Sequence, residues 1–143
     1  MPDMASARQH IIQMDLANIR KKICSEDLLL RRTWTVSEAH LGLALYKNFL
    51  YLSKKYHHRD RRLVPSMEID EIWHHHILDT KSYFFDSEKI FGTYFHHDPY
   101  FGTRGEADQQ NLNDAFAFTQ KLHVLEFGYR IPAIWGKCRE LLA

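Results

Sequence analysis

The chain contains only two cysteines, four prolines and six glycines in 143 residues. Cys24 and Cys138 lie far apart and form no CxxC pair. That excludes a cysteine zinc ribbon and a secreted disulfide framework, and leaves both as small core residues. No apolar run approaches the roughly 18 residues of a membrane span. The opening "MPDMASARQHIIQMDLANIRKK" lacks the basic-then-apolar pattern of a signal peptide. A reduced, soluble, cytoplasmic protein is therefore expected. The formal charge of +1 supplies no general attraction for nucleic acid. Alternating β patterns are nearly absent, as are repeats, linkers and low-complexity stretches. There is no HExxH helix, no deaminase HxE with PCxxC, no GxSxG elbow and no phosphate-cradling glycine loop. Familiar hydrolases, kinases and dinucleotide enzymes are disfavoured accordingly.

What the chain does have is apolar residues at 45%, enough for one core, and ten histidines. Seven of the ten fall in three clusters, His57–His58, His74–His76 and His96–His97. Clustered imidazoles point to metal or proton chemistry.

Helical spacing dominates. Ile12, Leu16, Ile19 and Ile23 mark one amphipathic helix over about residues 5–24. A shorter element, "SEDLLLRR", follows. Thr35 and Glu38 form a capping box before a second long helix whose buried face is Leu41, Leu45, Phe49, Leu52 and Tyr56. Ser66 is a plausible N-cap for a third helix over about residues 67–85, with Glu68, Asp70 and Glu71 suiting the dipole of its first turns. Glycines and Pro99 make about residues 92–107 a long loop. A fourth helix starts near Glu106, carries Leu112, Phe116, Thr119, Leu122 and Leu125 inward, and ends at Gly128. Pro132 opens a last short helix. The expected fold is a single all-α domain over residues 1–143. It is a compact bundle of about four main helices plus short ones, with the long loop between helices three and four.

The central stretch is "IDEIWHHHILDTKSY" (Ile69 to Tyr83). At about 100° per residue, its three histidines point three ways. Ile69, Trp73, His76, Ile77, Thr80 and Tyr83 share the core sector. His75 faces water. His74 sits one turn after Asp70, so the two can reach one point. His76 has Asp79 and Thr80 within a turn, and a carboxylate could orient its ring. It reads either as a satisfied core histidine or as a ligand or general base, which makes His76 and Asp79 the candidate catalytic pair. Asp70 and His74 alone would be a surface ion pair. A histidine from the loop "YFHHDP" would complete a two-histidine, one-carboxylate set that suits Zn²⁺ or Fe²⁺.

These residues resemble the glycine-rich domain-containing protein-like family. Its helix reads (I/V)-D-x-x-W-H-x-H-x-L-D, matched here by Ile69, Asp70, Trp73, His74, His76, Leu78 and Asp79, with Pro65 ahead and Tyr83 behind. "YKNFLYLSKKY" resembles the helix before it, Gly92 and His97–Asp98 the glycine and H-D pair after it, and Thr119 and Phe127–Gly128 a later segment. The resemblance covers about residues 40–135 and selects His97 over His96 as the third ligand. It implies positions rather than a reaction. Pro99 stands where many members carry an acid. The 143 residues include no long glycine-rich stretch and no RNA-recognition module, so RNA binding is not carried over.

Two functional readings follow. In one, Asp70, His74 and His97 hold a divalent metal, Zn²⁺ or Fe(II), for hydrolysis or oxygen-dependent oxidation, with His76 in support. In the other the domain is a non-enzymatic interaction module. Trp73, His74, His76 and Asp79 are then a structural polar network. The basic turn "KKYHHRDRR" and the loop "DPYFG" would meet a protein or peptide partner. The residues leave the oligomeric state open.

Overall fold

A computed structural model describes residues 1–26, 32–56 and 63–135. Six helices occupy them: α1 (Met4–Gln13), α2 (Ala17–Ile23), α3 (Val36–Tyr56), α4 (Met67–Leu78), α5 (Thr80–Phe91) and α6 (Glu106–Phe127). The protein is all-α, with no strand among the described residues. None of the described helices is long and apolar enough to cross a membrane.

α3 is the central helix, and α1, α2, α4 and α6 all pack on it. Its Thr35–Glu38 capping box is closed in both directions. The Glu38 N–H donates to Thr35 Oγ1 at 3.1 Å and the Thr35 N–H to Glu38 Oε1 at 2.8 Å. Leu45, Tyr46, Phe49 and Leu50 of α3 meet Ile69, Ile72, Ile90 and Phe91 in one core. Each such apolar side chain contributes about 1.5–3 kcal/mol by leaving water. That burial holds α2, since a seven-residue helix is too short to persist on propensity alone. Gly42 lets the Trp34 ring approach α3 closely. A Cβ there would stand 2.5 Å from Trp34 Cζ3 and 2.8 Å from Ile72 Cδ1.

Two expected helices are each broken in two. The first divides at residues 14–16, where the Asp15 carboxylate accepts the Ala17 N–H at 2.9 Å and starts α2. Lys47 donates to the Ile12 and Met14 carbonyls at 3.2 and 3.0 Å, supplying the exposed end of α1 with hydrogen bonds and positive charge. The third divides at Asp79, whose ψ of 72° leaves the helical region. The chain resumes as α5 and runs to Phe91, closed by Gly92 in the left-handed conformation. Thr80 is consequently exposed rather than in the core.

Other expectations shift at the surface. Ile12 is exposed, Leu41 partly so, and Leu125 is 72% exposed. Thr119 and Leu122 do face inward on α6, as expected, and are joined there by Gln120 and His123. There the Gln120 amide pairs with both backbone groups of Ile131 at 2.7 and 3.1 Å, tying the segment after Gly128 to the helix. The short element around 25–32 and the last helix after Pro132 fall largely outside the described residues, as do Cys138 and most of the basic turn. Cys24 is a free, half-buried thiol. Trp34 packs edge-on against Trp135 at 5.2 Å.

Candidate metal centre

Ser66 caps α4 by accepting the Ile69 N–H at 3.2 Å, which fixes where the helix begins. Asp70 therefore lies in the first turn and His74 one turn on, the two side by side. Their Oδ2 and Nε2 atoms are 3.2 Å apart. The segment leaving α5 brings in the third group. His97 Nε2 is 2.7 Å from Asp70 Oδ1 and 3.1 Å from His74 Nε2. Two imidazole nitrogens and a carboxylate thus converge from two elements. These three residues form a group able to hold a metal ion. The cluster faces solvent on one side, with the His74 side chain 51% exposed and that of His97 13%. His96 is exposed, its ring against Tyr94 at 4.9 Å.

The loop is positioned by aromatic packing. Phe95 stacks on Trp73 at 5.2 Å and on Phe91 at 4.2 Å. The His97 ring rests against Trp73 at 4.3 Å. Trp73 donates its indole N–H to the Tyr83 hydroxyl at 2.9 Å, and that hydroxyl donates to the Phe95 carbonyl. Beyond His97, Asp98 accepts the Tyr100 N–H at 3.0 Å and two contacts from Arg104 Nη2 at 3.1 and 3.2 Å. The loop is thus secured on both sides of His97.

His76 belongs to a different group. It is buried, and its ring is held by Asp86 rather than Asp79: Nε2 lies 2.8 Å from Asp86 Oδ2 and Nδ1 2.7 Å from the Tyr46 hydroxyl. Asp86 Oδ1 takes a second imidazole, His10 of α1, at 2.8 Å. Burial pushes the Asp86 carboxyl up, but the hydrogen bonds and charges of His76 and His10 outweigh it and hold the group below the usual carboxylate range. Burial, reinforced by Tyr83 and Asp86, pushes the Tyr46 hydroxyl well above the ordinary range, so it stays neutral. One tautomer satisfies both contacts of His76, with Tyr46 donating to Nδ1 and Nε2–H donating to Asp86. Asp79, by contrast, is exposed at the α4–α5 corner, where it lines a cleft with Asp15, Asn18 and Lys81.

Sequence reasoning missed Asp86, Tyr46 and His10. One signal was available for Asp86: it lies three residues after Tyr83 and four before Ile90, an acid on an apolar stripe. His75, expected in water, is half-buried.

The family model described as "Glycine-rich domain-containing protein-like" matches residues 6–86. The match includes Asp70, His74, His76 and Asp86, and stops short of His97. Among curated proteins, the chain is 31% identical over 132 residues to "Glycine-rich domain-containing protein 1" of Arabidopsis thaliana, covering 90% of this chain and 16% of that one. It is 35% identical over 107 residues to "Glycine-rich domain-containing protein 2" of the same plant, covering 68% and 13%. The chain thus spans less than a fifth of the length of these relatives. No solved structure matches.

Proposed function

The chain belongs to the glycine-rich domain-containing protein-like family, and from that premise we propose that this domain is a divalent-metal site built by Asp70, His74 and His97. One observation carries the reading: both Asp70 oxygens and the His74 and His97 Nε2 atoms, from α4 and the loop after α5, meet at 2.7, 3.1 and 3.2 Å. Tetrahedral ligands at bonds of about 2.0–2.1 Å are separated by roughly 3.3 Å, so small adjustments suffice. The donor set, two imidazoles and one carboxylate, suits Zn²⁺ or Fe²⁺ and leaves coordination positions open toward solvent. Zn²⁺ there would supply Lewis acidity, and Fe²⁺ a one-electron redox centre. The chain's own residues contribute the rest. Asp70 offers one oxygen to each imidazole, and Trp73 fixes the plane in which His97 approaches.

Metal analysis of tag-free protein tests the reading. About one zinc or iron per chain is expected, lost in His74→Ala and in His97→Ala and retained in His75→Ala. Metal-free protein that also takes up no added Zn²⁺ or Fe²⁺ would end it.

A second reading, a non-enzymatic interaction module, is favoured by the buried group. The indole N–H of Trp73 and both ring nitrogens of His76 are used inside the fold. Those residues serve packing specificity whether or not a metal binds. Under that reading a chelator leaves the thermal midpoint of the purified protein unchanged.

A further inference from the structure

His97 is the one ligand of the cluster that no helix places. The loop carries it, and the backbone anchor nearest to it along the chain on the α5 side is the Phe95 carbonyl. That carbonyl accepts from the Tyr83 hydroxyl, which also accepts from Trp73 Nε1–H at 2.9 Å. The same Trp73 ring touches both Phe95 and His97. One hydroxyl therefore joins α5, the α4 tryptophan and the loop at a single point. Tyr83 is 2% exposed, and its ring is packed edge-on against His76 at 4.9 Å and Tyr94 at 5.2 Å. Burial pushes its hydroxyl up to about 12, although the hydrogen bond with Trp73 lowers it. It therefore remains a donor to Phe95 across the physiological range.

We propose that the Tyr83 hydroxyl is the positioning group of the metal centre: by locking Phe95 to Trp73 it sets His97 against Asp70 and His74 before any ion arrives. The inference rests on the metal reading for its consequence and on the metal-free fold for its geometry. An unlocked loop would have to be ordered at the moment of binding, and that cost would appear as lost affinity. Groups that orient a ligand without touching the ion typically change affinity by about 10–100-fold.

Tyr83→Phe deletes the hydroxyl and keeps the ring. Tyr56→Phe is the matched control, since Tyr56 donates to Glu126 of α6 at 2.6 Å and packs in a cluster separate from the one that holds Trp73 and Tyr83. Zinc titration of the full chain should give a Kd about tenfold higher for Tyr83→Phe, at unchanged stoichiometry, and an unchanged Kd for Tyr56→Phe. An equal loss in both variants, or none in Tyr83→Phe, overturns the proposal. A second readout needs no metal. In metal-free wild type the Trp73 and His97 rings should show an NMR cross-peak that Tyr83→Phe loses, and its survival in that variant overturns the proposal too. If wild type binds no zinc, the metal reading fails while the cross-peak still decides the positioning. If Tyr83→Phe does not fold, metal-free wild type decides: the buried Tyr83 hydroxyl proton should be protected from exchange with water, and rapid exchange overturns the proposal.

Discussion

His76 and Asp86 are ten residues apart in the chain and 2.8 Å apart at their nearest polar atoms. In an uninterrupted helix that separation along the sequence spans about 15 Å. The contact exists because the helix breaks at Asp79 and α5 folds back on α4. Asp86 then binds His10 as well, so one carboxylate joins α1, α4 and α5 beneath the core.

Asp86→Ala should therefore destabilise the protein by about 3 kcal/mol, since it leaves two imidazoles short of a buried partner. Urea unfolding measures this. A loss below about 1 kcal/mol, the scale of an exposed ion pair, would show that the carboxylate is dispensable.

The acid side of the stability curve has a defined sign. The folded protein holds Asp86 below its ordinary range. Its contribution is thus fully present above about pH 4, the unfolded carboxylate value, and is lost as pH falls through the lower folded value. Unfolding free energies measured from pH 6 down to pH 2 should decline less steeply in Asp86→Asn than in wild type. Parallel curves would assign the decline to other carboxylates.

Added zinc should stabilise the folded state by mass action. At a free concentration of 100 times Kd the gain is about 2.7 kcal/mol, which for a chain of this size raises the thermal midpoint by roughly 5–10 °C. Asp70→Ala should show no such rise, and His75→Ala should show it in full.

Gly42→Ala sets two effects against each other. Replacing a helical glycine gains about 1 kcal/mol of propensity, while overpacking a tight site costs about 1–3 kcal/mol. The new methyl would meet Trp34 and Ile72 at 2.5 and 2.8 Å. Trp34 has little room to retreat, because its N–H is bonded to Glu71 at 3.1 Å and its ring lies against Trp135. A net loss of about 1 kcal/mol is expected in chemical unfolding. A stabilised variant would mean that the indole moves aside.

Local chemistry was legible in the sequence. The Thr35–Glu38 box, the Ser66 cap, the Gly128 terminus and the Asp70–His74 pair all involve residues within about one turn, where spacing alone determines neighbours. The helix breaks were not legible, because Ile12–Leu16–Ile19 and Ile69–Trp73–His76 keep their three-and-four spacing up to or through the interruption. The partner assigned to His76 failed for the same reason: Asp79 is adjacent on a straight helix and Asp86 only on a bent one. His97 was selected by resemblance, since a loop carries no periodicity from which to read direction.

The corner at Asp79 also limits how this segment can change in length. Tyr83 and Asp86 hang from the same helix and must reach Trp73 and His76 together. One residue added or removed between Thr80 and Ser82 would rotate α5 by about 100° and misdirect both side chains at once. Substitutions at the exposed positions Thr80 and Lys81 are comparatively free, but an insertion or deletion there is not.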